Sequence, residues 1–313
     1  VRIGAATTLW IITTAFALGA ADAEDPVHFP DVAMKSAVED ALSILDPTPT
    51  NMLSLTELVA SRMEIHDLTG LEHATNLQTL DIHQNQISDI LALAWLHNLQ
   101  ELDLSRNQIS DISVLAGLSK LSDLNLHKNQ ISDISALAGL NHLQTLILRQ
   151  NRIPSISALA SLGSLQKLDL RDNKIGDISA LAGLTSLQEL SLHGNSVSTI
   201  SALAGLRNLQ KLDLAWNQIS SISALSGLND LLFLDLRMNR ISDISALTGM
   251  ENLITLDLTA NALNGKAYCS YLQTIVRRSP GVSLSYDPNP ASPTGLQASD
   301  GLYPGKVVVT WDP

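Results

Sequence analysis

Six aspartates, Asp81, Asp103, Asp169, Asp213, Asp235 and Asp257, stand at multiples of 22 residues from one another. Two places further along the same phase runs a second set rich in His and Arg: His83, His127, Arg149, Arg171, His193 and Arg237. Such residues can form a solvated surface whose charges compensate one another, or a surface of alternating charge for a partner. Three of the carboxylates, Asp213, Asp235 and Asp257, are consecutive at their phase and could hold a calcium ion through oxygen donors. Ordinary periodicity explains them equally well. If each period supplies one strand, His83, His127 and His193 lie roughly 10–15 Å apart and cannot share one metal ion. No metal or cofactor is therefore expected.

Other chemistry finds little support. The chain has no P-loop, no His-Glu zinc motif and no Gly-x-Ser-x-Gly elbow. Its one cysteine, Cys269, excludes an internal disulfide framework and is expected to be buried packing in a terminal helix. The net charge of −12 disfavours non-specific nucleic-acid binding. The protein is expected not to be an enzyme.

What must position these side chains is a strict repeat. Asn85, Asn107, Asn129, Asn151, Asn173, Asn195, Asn217, Asn239 and Asn261 are each 22 residues apart, inside the frame L-x-x-L-x-L-x-x-N-x-I-x-x-I. A unit this short cannot bury its own core, so it stacks on its neighbours as a solenoid. Leu102 and Leu104, two apart, point inward from a short strand, and residues 101, 103 and 105 point outward. Nine parallel strands are predicted over residues 77–264, one per asparagine. Asn107 and its equivalents turn the chain inward and are structural, forming a ladder of amides that meet backbone groups left unpaired by the turn. Ser135, Ser157, Ser179, Ser201, Ser223 and Ser245 suit N-caps of short convex turns. The glycines at 117, 139, 183, 205, 227 and 249 suit a tight exit.

On these residues the chain resembles the leucine-rich repeat family in its 22-residue form. That form is shared by the secreted bacterial internalins and by an intracellular phosphatase-binding group. The resemblance implies an α/β solenoid, with a parallel sheet on the concave face and short 3-10 or α turns on the convex face. It also implies a non-catalytic module that docks a protein on the concave sheet, as part of a larger cell-surface or secreted adhesion or recognition protein. A regulatory subunit of the phosphatase-binding type is the alternative.

The ends of the chain refine this. Residues 1–23 combine Arg2, an apolar run and Ala21-Asp22-Ala23, and resemble a secretory signal peptide. Residues 24–75 read as a helical N-terminal cap and a degenerate first repeat. Asp31 is placed to cap a helix carrying Val32, Ala37, Val38, Ala41, Leu42 and Leu45. Ser54-Leu55-Thr56-Glu57 reads as a capping box opening a second helix. Ile65 and Leu68 take core positions. Repeats occupy 76–264. Residues 265–289 form a C-terminal cap, with Ala267, Tyr268, Leu272, Ile275 and Val276 inward. Residues 290–313 resemble the opening of a fibronectin type III domain, with Trp311 as its core tryptophan.

One patch stands out for a protein partner. Trp216 and Met238 share the eighth position of adjacent repeats. Phe233 lies beside Lys211 at the third position, and Arg171 and Arg237 sit at the seventh. Aromatics make up only 4% of the chain, and interface hot spots favour Trp and Arg. These six residues are the expected contact site of a monomer that is exported, without a membrane span in its mature form. Cleavage is expected after Ala23, so N-terminal sequencing of the exported protein should begin at Glu24. Retention of Val1 in that protein would refute the signal-peptide reading.

Overall fold

A computed structural model describes residues 24–288. The signal-peptide and fibronectin-like readings lie outside the described residues. Eleven strands form one parallel sheet in chain order: β1 (Glu57–Val59), β2 (Thr79–Asp81), β3 (Glu101–Asp103), β4 (Asp123–Asn125), β5 (Thr145–Ile147), β6 (Lys167–Asp169), β7 (Glu189–Ser191), β8 (Lys211–Asp213), β9 (Phe233–Asp235), β10 (Thr255–Asp257) and β11 (Ser283–Ser285). The central leucines align across the sheet, Leu80 with Leu102 and Leu102 with Leu124. Their side chains and those of the convex segments make one continuous core from Val27 to Leu284. The architecture is an open solenoid with a helical cap at its N-terminus.

Nine strands belong to the asparagine repeats, and each cap adds one more. At Ser54–Glu57, where a helix was expected, the chain instead enters β1, which pairs with β2. Leu58 is buried between exposed Glu57 and Val59, the alternation of a strand rather than a helix. The second helix, α2 (Pro49–Met52), lies earlier and has its own capping box. Thr48 Oγ1 accepts from the Asn51 N–H, and Asn51 Oδ1 accepts from the Thr48 N–H.

Helix α1 (Val32–Leu42) is capped by Asp31 and buries Met34, Ala37 and Val38, spaced for one face. Val32, Ala41 and Leu45, expected inward, are exposed. Val32 is out of phase with that face, whereas Ala41 is in phase with it but sits in the last turn of the helix. Leu45 falls beyond the helix end, where Ser43 turns left-handed at φ 55°. Asp31 does more than cap. Its Oδ1 accepts from the N–H groups of Ala33 and Met34, and its Oδ2 from those of His66 and Asp67. It thereby fastens α1 to the first turn of the solenoid. At the far end the Asp287 carboxylate accepts from the Ala260 N–H at 2.6 Å. In preceding repeats that N–H finds a carbonyl of the next repeat, as Arg106 N does at His127 O.

The convex turns differ from expectation in two ways. Ser135, Ser179 and Ser245 are the first residues of their 3-10 turns, not caps. Aspartates two residues earlier, Asp133, Asp177 and Asp243, accept from their N–H groups at 2.8 Å. The glycines at 117, 139, 183, 205, 227 and 249 are not left-handed, so no backbone demand selects them. The left-handed residue lies at the eighth position, just before each ladder asparagine and, in the degenerate first repeat, before Met63. Arg62, Gln84, Arg106, Lys128, Gln150, Asp172, Trp216, Met238 and Ala260 all sit there at φ between 54° and 61°, and Gly194 at 66°. That conformation costs a non-glycine residue about 1–2 kcal/mol.

The C-terminal cap is a π-helical turn (Ala267–Tyr271) running into α3 (Leu272–Arg278). Ala267, Leu272 and Ile275 are buried, and Tyr268 and Val276 pack partly against the core. Cys269, expected to be buried, is exposed. Two residues past inward Ala267, it points about half a turn away from the core.

Two predictions follow from these turns and caps. Gly194→Ala should lower unfolding free energy by about 1–2 kcal/mol, because the added Cβ is strained and meets Asp172 Oδ1. Gly139→Ala should be neutral or stabilising by about 0.4–1 kcal/mol, since its Cβ meets nothing. Urea denaturation measures both, and equal effects would contradict the assignment. For Asp31, burial opposes ionisation, but its four backbone N–H partners prevail and hold the carboxyl below its ordinary value. A lowered folded value means stability present above the ordinary carboxylate range and lost as pH falls through it. Asp31→Ala should therefore cost about 1–2 kcal/mol at neutral pH, and the gap to wild type should close below about pH 4. A gap independent of pH would show that the carboxylate charge is not what fastens the cap.

Candidate binding surface

The ladder asparagines set the spacing of everything on the concave side. Asn107 Nδ2 donates to Ile82 O in the preceding repeat and to Leu104 O in its own, while its Oδ1 accepts from the Ile87 N–H. The pattern recurs from Asn85, which accepts from Met63 and Ile65, to Asn261, which accepts from Ile241. The fifth-position carboxylates also serve the backbone. Asp81, Asp103, Asp169, Asp213, Asp235 and Asp257 each accept from the N–H two residues on, at 2.8–3.2 Å. Part of their periodicity is thus local turn structure.

Charge on this face divides by half. In the C-terminal half it is compensated. The Arg171 guanidinium grips buried Asp169 through two hydrogen bonds, and that contact raises the Arg171 pKa. Lys211 and Lys167 both reach Glu189, and Lys211 is the main cause of that carboxyl lying below its ordinary value. Arg237 Nε lies 3.3 Å from Asp235. Burial nevertheless pushes the Asp235 carboxyl up, with neighbouring Asp213 and Asp257 adding to it. His127, in the middle repeats, is buried and pushed down, chiefly by desolvation. In the N-terminal half a groove is lined by Glu57, Asp81, Glu101, Asp103 and Asp123. Among the described residues no lysine or arginine pairs with any of these five.

Known proteins share this construction. The family described as Leucine rich repeat matches residues 132–175, 141–197 and 163–219, and that described as Leucine Rich repeats (2 copies) matches residues 97–139. An internalin of Listeria monocytogenes, inlF, is 28% identical with a TM-score of 0.70, over 85% of this chain and 87% of that one. Internalin C2 of the same organism, inlC2, is 34% identical with a TM-score of 0.58, over 74% of this chain and 94% of its own. The chain belongs to the leucine-rich repeat family. Its form is internalin-like. The leucine-rich repeat ectodomain of a plant membrane receptor kinase from Arabidopsis thaliana shares the fold. It is 24% identical with a TM-score of 0.58, over 63% of this chain and 25% of that one, and was solved in complex with Casparian strip integrity factor 2. No curated protein matches in sequence.

On this leucine-rich repeat scaffold three of the six residues singled out by sequence share one depression. Arg171, Lys211 and Phe233 line a shallow depression of about 360 Å³ with Asp213, Asp235 and Asp257. Trp216, Met238 and Arg237 lie beyond it, after the strand ends. Trp216 is 53% exposed and Met238 39%, both on left-handed backbone. The Trp216 ring has an aromatic neighbour in the preceding repeat. It stands at 46° to the His193 ring, centroids 6.4 Å apart. Arg171, Lys211 and Arg237 are already engaged with carboxylates, though exposed pairs such as those of Lys211 and Arg237 are worth only about 0–1 kcal/mol.

Two features escaped the sequence reading. Leu91 and Trp95 are exposed on the convex side, Trp95 at 62%. They stand where other repeats carry Ser and Gly, so departure from the repeat's own consensus was the available signal. The second is a convergence of Asp81, His83 and Asp103, whose donor atoms all lie within 4.8 Å of one another. The consecutive trio Asp213, Asp235 and Asp257 forms no such cluster.

Proposed function

We propose that this internalin-like chain is an exported, non-catalytic module that binds a protein on the C-terminal half of its concave face. It would act within a larger cell-surface or secreted adhesion or recognition protein. The observation that carries the reading is the exposure of Trp216, Phe233 and Met238 on a rigid parallel sheet and its rim. Docking on such a surface orders little backbone, so little of the contact energy is lost. Burying an exposed indole removes apolar area from water at about 25 cal/mol per Å². The plant ectodomain solved in complex with Casparian strip integrity factor 2 lends general support, since its fold presents the same kind of sheet. Export rests on the signal-like residues 1–23 and on the likeness to internalins. No helix among the described residues is long and apolar enough to cross a membrane.

The test is a comparison of variants on proteins captured from the surface of neighbouring cells, with affinity measured for any partner retained. Trp216→Ala with Phe233→Ala should weaken that affinity about tenfold or more. Asp81→Asn with Asp103→Asn, in metal-free buffer, should change it little. Equal losses, or loss only in the second pair, would move the site to the other end of the face.

A further inference from the structure

We propose that Asp81, His83 and Asp103 form a divalent-metal site of the kind that takes zinc, on the N-terminal half of the concave face. Asp81 and Asp103 are direct neighbours across β2 and β3. His83 follows Asp81 by two, and its Nδ1 lies 2.7 Å from Asp81 Oδ1. These three are the one group of three among the described residues whose histidine, cysteine or carboxylate donor atoms all lie within 4.8 Å of one another. Each is half-buried, and Asp81 and Asp103 line the groove.

The carboxylates are held from behind. Asp103 Oδ1 accepts from the Ser105 N–H at 2.8 Å, and its Oδ2 accepts from Asn125 Nδ2 at 2.8 Å. Asp81 Oδ1 accepts from the His83 N–H at 3.1 Å. Such outer contacts orient metal ligands and maintain their basicity. The electrostatics favour a cation independently. The groove gathers Glu57, Asp81, Glu101, Asp103 and Asp123, and no lysine or arginine among the described residues pairs with any of them. At the same phase further along, Asp169 and Asp235 each have an arginine. Where the repeat would place that cation, it places His83.

Donor chemistry selects the ion. One imidazole nitrogen and two carboxylates suit zinc, which bonds both at about 2.0–2.2 Å. Calcium takes six to eight oxygens and gains nothing from an imidazole. Small side-chain rotations draw the three atoms to bonding distance. The fourth zinc position then faces the open groove, where water or a partner's side chain completes the shell.

The experiment is calorimetric titration of the whole chain, stripped with chelator, with zinc chloride. Cobalt(II) absorption serves as a second reading of the ligand set. Wild type should bind one ion and give the visible bands of a four-coordinate cobalt site. His83→Ala and Asp103→Asn should each weaken binding about tenfold or more, while Asp257→Asn leaves it unchanged. Matching thermal unfolding of the stripped variants and stripped wild type ensures that the loss is not one of folding. Absence of saturable zinc binding, or binding that His83→Ala leaves intact, would overturn the assignment. So would calcium binding in its place.

Discussion

The turn after each strand is not completed by its own repeat. The Ile87 N–H finds its acceptor in Asn107, one repeat on, and Asn107 reaches back to Ile82 for one of its donors. A buried amide left without a partner costs about 1–3 kcal/mol, so no repeat is satisfied alone. The residue before each asparagine sits on left-handed backbone. Strand spacing, the inward leucines and the outward lanes all follow from this one exchange between neighbours. It also creates a problem at the ends, where a neighbour is missing. Two aspartates answer it. Asp31 accepts from the N–H groups of the first turn, and Asp287 supplies a carboxylate where a further repeat would supply a carbonyl.

The concave face is therefore a regular array on which charge is distributed irregularly. Toward the C-terminal end, lysines and arginines sit among the acids and neutralise them. Toward the N-terminal end, acids line the groove without basic partners. Adjacent aspartates about 5 Å apart in water repel by about 0.8 kcal/mol, and a half-buried setting increases this. The two halves are thus suited to different ligands: apolar and mixed-charge contact at one end, a cation at the other.

Much of this was legible from residue order. The 22-residue period placed the strands from Thr79 to Asp257 and the leucines that fill the core, because every unit repeats the same burial problem. The caps were read less well, since they occur once and nothing in the chain repeats them. Ser54-Leu55-Thr56-Glu57 satisfies a helix-capping pattern locally, and only the pairing of β1 with β2 decides for a strand. Cys269 was misplaced because its orientation depends on the phase of a π turn. The aspartate–histidine convergence was hidden for another reason. Fifth and seventh positions read as separate lanes, whereas the bend after the strand tilts His83 back onto Asp81 and toward Asp103.

The left-handed column before the asparagines also bears on how such a protein acquires new specificity. Its side chains point away from the core, and Arg, Gln, Lys, Asp, Trp, Met and Ala all occupy it within this one chain. The conformational penalty there is much the same for each of them, so exchanging one for another leaves the scaffold's stability nearly untouched. The column is a row of interchangeable letters along one rim, where a lineage, or an engineer, can rewrite recognition one repeat at a time.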